Sequence, residues 1–317
     1  MALDVVTIGE PMVLFAAQKP GPLEEVDAFV RSIAGAELNV AIGLSRLGLR
    51  VGYVSRVGRD SFGRHLLAAM DREGIDRRHV ALDDAHPTGF MLKSRAGDGD
   101  DPSIEYFRRG SAASHLSPAD NPVAYCAQSR HLHLTGISAA ISKSARDLVF
   151  QMAAEARAAG RSVSFDPNLR PSLWPSQAVM VDCLNRLAAS SNWVMPGLAE
   201  GRLLTGHESP EAIADFYLER GAELAVIKLG PQGAFFAGAT DRGTMAGVPM
   251  TKVVDTVGAG DGFAVGVISA LLEGLSFADA VARGNAIGAR VVQFPGDSDG
   301  LPNREQLAAA LGRRQSR

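Results

Sequence analysis

The chain alternates short apolar runs with helix-like segments that end at a glycine. Runs with the composition of buried strands lie at 3–9, 49–58, 131–136, 161–168, 192–197 and 222–230. Helical periodicity covers the intervals 37–47, 61–73, 143–159 and 177–190, and the first three of these stop at Gly48, Gly74 and Gly160. Because strand, helix and strand in this order are typical of right-handed crossovers, the sequence predicts an α/β fold with a mainly parallel sheet flanked by helices.

Two segments, at about 11–34 and 86–110, interrupt this rhythm with alternating apolar and polar residues. Within the second segment, AGDGDDP at 96–102 predicts a turn between two strands. We therefore expect a small antiparallel β-sheet that is inserted into the α/β body as a lid. Since no internal repeat or low-complexity tract divides the sequence, residues 1–317 are predicted to form a single domain.

Composition narrows the classes of partner. The 317 residues include 32 Lys and Arg against 35 Asp and Glu, a formal net charge of −3, and both signs are scattered along the chain. No basic stripe indicates nucleic acid, and no apolar stretch approaches the roughly 18 residues of a membrane span. Cys126 and Cys183 lack the spacing of a metal or redox site, and the start lacks a targeting segment. We expect a cytoplasmic protein with buried, reduced thiols.

The stretch DTVGAGDGFAVG, residues 255–266, places four glycines at the start of an apolar helix. Each glycine in a helix interior costs about 1 kcal/mol relative to alanine. In return, glycine lets a ligand approach the backbone, and the free N–H groups of a helix start favour an anion. The P-loop pattern is absent, and the dinucleotide GxGxxG pattern fits poorly. Asp261, at the edge of this turn, could accept a proton from a hydroxyl that attacks a phosphate.

These residues resemble a known family. DTVGAGD at 255–261 is similar to the C-terminal signature of the PfkB/ribokinase family of sugar kinases, and AGAELNVAIGLSRLG at 34–48 is similar to its N-terminal signature. KLGPQG at 228–233 and RGNAIGARVVQFPG at 283–296 follow in the expected order, so the resemblance covers essentially the whole chain. The family has a ribokinase-like, doubly wound fold with a β-sheet lid. The resemblance therefore implies an ATP-dependent sugar kinase.

The resemblance also implies a catalytic centre. Asp261 would be the base that deprotonates the acceptor hydroxyl, and the amides of Gly258, Ala259 and Gly260 would form the anion hole beside it. Gly262 and Gly266 would only ease close packing of the helix. A tight structural turn with a capping aspartate is the alternative interpretation of this stretch.

ATP and Mg²⁺ are the implied cofactors, and a potassium ion is left open. Besides the anion-hole residues, the residues expected to line the nucleotide are Lys228, Gly230, Gly233 and Asn285. Glu200 is expected to orient Mg²⁺ through water, although Gly197 stands where the family's NxxE motif has an asparagine.

For the phosphate acceptor, EYFRRGSAASHLSP at 105–118 and FDPNLRPSLW at 165–174 resemble segments of 2-keto-3-deoxygluconate kinases. That resemblance assigns Tyr106, Arg108 and Arg170 to the acid group and Gly35 and Asn39 to sugar hydroxyls. Arginine suits a carboxylate because its guanidinium offers two parallel donors.

Three positions bear on the acceptor. Leu14 replaces the aspartate that kinases of neutral sugars use to grip two hydroxyls, which favours an acid. Ala34 and Met91, in contrast, depart from the pattern of the deoxygluconate kinases, which commonly have glycine and tyrosine there.

The predicted reaction is ATP-dependent phosphorylation of the 6-hydroxyl of 2-keto-3-deoxygluconate, by a homo-oligomer. Three alternatives stay open: a PfkB kinase for fructose, a deoxygalactonate epimer or a nucleoside; a sugar-sensing regulator without turnover; and a nicotinamide-dependent oxidoreductase. The intact Asp261 beside its glycines favours an active kinase over a regulator.

Overall fold

The computed structural model describes residues 3–95, 102–250 and 253–315, so most of the turn predicted at 96–102 lies outside the described residues. The strands in these ranges are β1 (Val5–Ile8), β2 (Met12–Pro20), β3 (Phe29–Ala34), β4 (Val51–Gly58), β5 (Asp76–Asp83), β6 (Phe90–Arg95), β7 (Ile104–Phe107), β8 (His131–Thr135), β9 (Ser162–Asp166), β10 (Trp193–Val194), β11 (Leu224–Lys228), β12 (Gly233–Gly238) and β13 (Arg242–Ala246). The helices are α1 (Ala36–Arg46), α2 (Ser61–Arg72), α3 (Val123–Ala127), α4 (Gly136–Ala140), α5 (Lys143–Ala158), α6 (Gln177–Ala189), α7 (Leu198–Thr205), α8 (Pro210–Leu218), α9 (Ala259–Leu272), α10 (Phe277–Val291) and α11 (Arg304–Gln315).

The main sheet has nine strands in the order β13-β12-β11-β10-β9-β8-β1-β4-β5. The strands from β11 to β5 in this order pair in parallel, whereas β12 and β13 pair antiparallel at one edge. The predicted α/β class is thus confirmed, and each of the six predicted strands is present. The sequence prediction lacked β5, β12 and β13, which all lie at the two edges of the sheet.

Helices cover both faces of this sheet because successive residues of each strand point to opposite sides. On β11, Leu224 and Val226 pack into the core beneath α1, α2, α9, α10 and α11, whereas Ala225 and Ile227 pack into the core beneath α3 to α8. In the described part of the chain, no helix is long and apolar enough to cross a bilayer.

Glycine ends three of the predicted helices by the expected mechanism. Gly48, Gly74 and Gly160 follow α1, α2 and α5 with φ values of 81°, 70° and 69°. This left-handed conformation is cheap for glycine and costly for residues with a Cβ, so the helix stops there. At the other end, the Asp60 carboxylate caps α2 by accepting the Gly63 N–H at 2.7 Å.

The second sheet has four strands in the order β3-β2-β6-β7, which fall within the two segments that interrupt the α/β rhythm. The pairs β2–β3 and β6–β7 are antiparallel hairpin partners, but the central pair β2–β6 is parallel. The prediction of an antiparallel sheet is therefore wrong for its centre. The reason is that β2 and β6 both run outward from the same end of the main sheet, β2 after β1 and β6 after β5.

Two histidines on β8 are buried in the centre of the main sheet. His131 stacks on Trp193 with ring centroids 4.6 Å apart, and both His131 and His133 hydrogen-bond to the Ser164 hydroxyl. Burial lowers the pKa of both imidazoles, to about 3 for His133. Both rings are therefore neutral near neutral pH.

We expect acid to destabilise the fold through His133. Its folded pKa of about 3 lies below the unfolded value of about 6.5, so its contribution is complete above pH 6.5 and is lost as the pH falls toward 3. Between pH 7.5 and 5.5 one such histidine lowers the free energy of unfolding by about 1.4 kcal/mol. In urea denaturation at these two pH values, His133→Gln should lose less stability than the wild type by this amount. The exposed His207 provides the control, because His207→Gln also removes one imidazole, but one that is not buried in the sheet. Equal pH dependence in all three proteins would contradict the prediction.

Candidate active site

A cavity of about 260 Å³ lies between the lid sheet and the carboxyl ends of β1, β8, β9 and β11. Ligands of open α/β sheets bind at this end of the strands. The predicted site residues that line the cavity are Gly35, Asn39, Tyr106, Arg108, Arg170, Glu200, Lys228, Gly258, Gly260 and Asp261. The structure thus brings together residues that are more than 220 positions apart in the chain.

Asp261 lies in the first turn of α9, with its carboxylate buried at the cavity wall. Its Oδ2 accepts a hydrogen bond of 2.7 Å from the Asn39 side-chain amide. Burial raises the pKa of Asp261 to about 8, against the Asn39 hydrogen bond, and the nearby Asp166 and Asp297 carboxylates add to the rise. The deprotonated form of a carboxyl group with so high a pKa is a stronger base than an ordinary aspartate.

The glycines before Asp261 give the start of α9 its shape. Gly258 caps the helix with a φ of 82°, and a Cβ there would lie 2.4 Å from the Asp297 carbonyl oxygen. The first N–H of this turn to bond within the helix is that of Gly262, which donates to Gly258. The Ala259 N–H instead donates to the Thr256 carbonyl at 3.3 Å. Of the three predicted anion-hole residues, Gly258 and Gly260 face the cavity and Ala259 is not among its lining residues.

Gly262 and Gly266 allow α9 to pack closely on α10, as predicted. A Cβ on Gly266 would lie 2.5 Å from the Gly284 Cα, and one on Gly262 would lie 2.8 Å from a Val291 methyl. Gly260 differs, since a Cβ there would meet only the Lys228 ammonium at 3.6 Å and the Asp166 carboxylate at 3.9 Å. The cavity therefore has room for a small group at Gly260.

Lys228 ends β11 and reaches across the cavity floor. Its ammonium lies 2.7 Å from Oδ2 of Asp166, the last residue of β9. A positive charge is therefore held next to Gly260, at the helix start that the sequence predicts to be an anion site. Asp166 belongs to the quoted segment FDPNLRPSLW, but its pairing with Lys228 was not predicted.

Arg108 has a partner that the sequence did not reveal. Its Nε donates to Glu10 Oε2 at 2.7 Å, and its Nη2 lies 2.5 Å from the same oxygen. The Ser111 hydroxyl donates to Glu10 Oε1 at 2.5 Å. Glu10 lies two residues after the end of β1, and a glutamate after the first strand of an α/β sheet was the available signal for a site residue. Because both side chains are buried, Glu10 fixes the guanidinium in place and balances its charge.

Arg170 lines the cavity from the loop after β9, where its Nη1 donates to the Leu169 carbonyl at 2.8 Å. Asn168 shapes this loop by adopting a left-handed φ of 41°. Glu200 holds it, because Oε1 accepts the Leu169 N–H at 2.8 Å while Oε2 accepts the Gly197 N–H at 2.7 Å. Glu200 thus caps α7 and supports the loop that carries Arg170.

The remaining residues that were predicted to bind the sugar lie around the lid. Gly35 has a φ of 131°, and a Cβ there would lie 2.6 Å from the Glu10 carbonyl oxygen. Tyr106 and Met91 are cross-strand partners on β7 and β6, and both line the cavity. Glu37, another residue missed at the sequence level, is buried beside them and accepts hydrogen bonds from the Thr135 and Ser138 hydroxyls.

Three predicted nucleotide-site residues lie outside the cavity. Gly230 and Gly233 form the turn between β11 and β12, with φ values of 60° and 102°. The Asn285 amide donates to the carbonyls of Met245 and Ala246 at 3.0 and 3.2 Å, so it anchors the end of β13 to α10. These three residues are not among those that line the cavity with Asp261.

A model of the pfkB family of carbohydrate kinases matches residues 2–304. The chain belongs to this family. It is therefore an ATP-dependent sugar kinase with a ribokinase-like fold, as the sequence predicts. Membership in the family contradicts the nicotinamide-dependent alternative.

Relatives of this kinase resemble it over their whole length. It is 52% identical over 312 residues to the 2-dehydro-3-deoxygluconokinase of Bacillus subtilis strain 168, which covers 98% of this chain and 96% of that protein. A crystal structure of a PfkB protein from Polaromonas sp. JS666 matches with a TM-score of 0.90 and 54% identity, covering 98% and 100% of the two chains. A putative ribokinase II from E. coli in complex with ATP and Mg²⁺ matches with a TM-score of 0.89 and 27% identity, covering 98% and 99%.

We expect Gly260→Val to give a folded kinase with little turnover. The side chain would project into the cavity beside Lys228 and occupy the space of a phosphate at the helix start. Valine keeps the backbone N–H, but a phosphoryl group displaced from it would lose that donor, which costs a factor of about 10² to 10³ in kcat. A coupled ATPase assay should show a loss of this size. Gly312→Val, in open space on α11, is the matched control and should retain activity. Normal turnover in a folded Gly260→Val variant would remove the anion hole from this position.

Proposed function

We propose that this kinase transfers the γ-phosphoryl group of ATP to the 6-hydroxyl of 2-keto-3-deoxygluconate. The observation that supports this most directly is that two arginines and the Asp261 carboxylate line one cavity. The 52% identity to a 2-dehydro-3-deoxygluconokinase supports the same acceptor. A cavity with a cationic side and a basic carboxylate suits a substrate with an acid group at one end and a hydroxyl at the other.

The acid group is bound by Arg170 and Arg108 in this proposal. Arg108 is held by Glu10, so it offers a fixed guanidinium whose charge is already balanced. Arg170 is half-buried, and its hydrogen bond goes to a backbone carbonyl rather than to a carboxylate. Its positive charge is therefore available to a substrate carboxylate, and it contributes most of the selectivity for acids.

The sugar hydroxyls are bound by Asn39 and the backbone at Gly35. Asn39 gives its amide N–H to Asp261, while its Oδ1 is buried with no hydrogen-bond partner in the part of the chain that the structure describes. A buried acceptor without a partner is costly, and a substrate hydroxyl would supply the missing donor. The same side chain thus links sugar binding to the catalytic carboxylate.

In the chemical step, the Asp261 carboxylate accepts the proton of the acceptor hydroxyl as its oxygen attacks the γ-phosphorus. The N–H groups of Gly258 and Gly260 and the Lys228 ammonium stabilise the charge on the transferred phosphoryl group. Because Gly258, Gly260 and Asp261 belong to one helical turn, the base and the anion hole keep a fixed relative position.

Mg²⁺ is part of the proposal, and the available donors fit a water-mediated site. Among the described residues, no cluster of three or more His, Cys, Asp or Glu side chains could hold a metal ion by itself. Each oxygen of Glu200 already accepts one backbone N–H bond. The second lone pair of each oxygen can still accept a hydrogen bond from a metal-bound water. Mg²⁺ commonly binds in this way, through substrate phosphates, waters and one or two carboxylates, and it would neutralise the phosphate charge.

Two further properties stay predictions, and a role for K⁺ stays open. A need for K⁺ is not part of the proposal, and the homo-oligomer is an expectation that sedimentation would test. Cys126 and Cys183 are buried and free, which suits the predicted cytoplasmic location.

The pH profile of kcat/KM tests the role of Asp261. A base must be deprotonated to act, so kcat/KM should rise with pH and level off above the Asp261 pKa of about 8. Asn39→Leu removes the hydrogen bond that favours the charged carboxylate, and the midpoint should move to higher pH. Asp261→Asn should lower kcat by a factor of about 10² to 10⁴ and abolish the acidic limb.

The Asn39→Leu shift is the decisive part of this test, since Asn39 hydrogen-bonds directly to Asp261. If the midpoint of the kcat/KM profile stays at the same pH in Asn39→Leu, the titrating group is not Asp261. Asp261→Asn turnover within threefold of the wild type, with chemistry shown to limit the rate, would remove Asp261 as the base.

A panel of acceptors tests the substrate. The wild type should prefer 2-keto-3-deoxygluconate to fructose and to neutral analogues. Arg170→Ala should lower kcat/KM for the acid roughly ten- to a hundred-fold, as expected for a charge-assisted hydrogen bond, and should change neutral acceptors little. Arg170→Lys should recover part of the loss, because lysine keeps the charge but not the forked geometry.

Arg109→Ala is the matched control, since Arg109 is an exposed lid arginine next to Arg108. Arg108→Ala is less informative, because it would leave Glu10 buried without its cation. Equal losses for acidic and neutral acceptors in Arg170→Ala would assign the arginine a structural role. A wild-type preference for fructose would contradict 2-keto-3-deoxygluconate as the acceptor, while the assignment as a sugar kinase would still hold.

A further inference from the structure

Lys93 is a buried cation with no role in the mechanism described so far. It lies on β6, two residues after Met91, so both side chains point to the face of the lid sheet that covers the cavity. The Lys93 side chain is only 3% exposed, and its ammonium lies 2.9 Å from Asp297 Oδ1 and also pairs with Asp255. Burial of an ammonium is favourable only with such partners.

Both partners of Lys93 belong to segments that adjoin Gly258, one in sequence and the other in space. Asp255 begins the DTVGAGD loop and shapes it, because its Oδ1 accepts the Val257 N–H at 3.0 Å. Asp297 lies in the segment after α10, and its backbone carbonyl packs against Gly258 so closely that a Cβ would lie 2.4 Å away. One ammonium therefore connects the lid sheet, the loop before the anion hole and the segment that packs on it.

Electrostatics gives this connection its strength. Without the ammonium, the Asp255 and Asp297 carboxylates would face each other in a buried space, where like charges repel strongly. Repulsion would push the loop and the segment apart, and both of them contact Gly258. A displacement of Gly258 would turn the N–H groups of the anion hole away from the phosphoryl group.

We propose that Lys93 is a positioning residue for phosphoryl transfer, which fixes the anion hole through Asp255 and Asp297 and couples it to the lid. This inference rests on the proposed function only in placing the anion hole at Gly258 and Gly260. Lys93 acts as a cation supplied by the chain itself. A variant without this ammonium has a cavity between two carboxylates, which a small external cation can occupy.

The test compares Lys93→Ala with Lys143→Ala, in which an exposed lysine loses its ion pair with Asp147. In Lys93→Ala, kcat should fall about ten- to a hundred-fold, the size expected for a small misplacement of catalytic groups, while the KM for the sugar changes less. Ammonium, methylammonium or potassium chloride should restore much of the lost kcat. Tetramethylammonium chloride at the same ionic strength should not, because the cation is too large for the site. The wild type and Lys143→Ala should respond to none of these salts.

A purely structural role would lower the melting temperature of Lys93→Ala without cation-dependent recovery of kcat. A folded Lys93→Ala protein with wild-type kcat, or with a lost kcat that no small cation restores, overturns the proposal. If Lys93→Ala does not fold, Lys93→Ala combined with Asp297→Asn removes the repulsion. Because the repulsion that displaces Gly258 is then gone, that double variant should fold with a kcat within about tenfold of the wild type that salts do not change. A larger loss of kcat in the folded double variant would overturn the proposal.

Failure of this inference can be told apart from failure of the proposed function. The acceptor preference of the wild type and the effect of Gly260→Val test the substrate and the anion hole without reference to Lys93. The Lys93 variants are assayed with whichever sugar the wild type phosphorylates best.

Discussion

A buried carboxylate needs a partner that replaces its lost hydration, and six carboxylates line the cavity of this kinase. Cations pair with three of them, Glu10, Asp166 and Asp297. Glu200 accepts two backbone N–H groups, and Glu37 accepts two hydroxyls. Within the ranges that the structure describes, Asp261 accepts a side-chain hydrogen bond from one neutral amide, that of Asn39, and it is therefore the carboxylate best suited to take up a proton. These pairings connect the lid, the loops and α9 to one another.

The centre of the main sheet could be predicted from the sequence and its edges could not. β1, β4, β8, β9 and β11 are buried on both faces, so their apolar runs are nearly continuous. β5 is an edge strand with several exposed and charged residues, and it lacks that signal. The parallel pairing of β2 with β6 depends on how the main sheet places their starts, which no local pattern records.

For the site, motif residues were predictable where a chemical role restricts the residue type. Asp261, Arg170 and Asn39 were found in this way and line one cavity. Glu10 and Lys93 were missed because each is a single charged residue without a motif, and its significance depends on a partner far along the chain. Such pairings become visible only once the fold has brought the partners together.

Chain order separates the two central strands of the lid sheet, since β2 ends at Pro20 and β6 begins at Phe90. α1, β4, α2 and β5 lie between them, so the entropy of closing a long loop opposes their pairing until something else holds the ends close. The edge of the main sheet formed by β1, β4 and β5 does this, because β2 follows β1 and β6 follows β5. The topology therefore predicts that the lid assembles after this edge has folded, and that the cavity beneath it is among the last parts of the kinase to form.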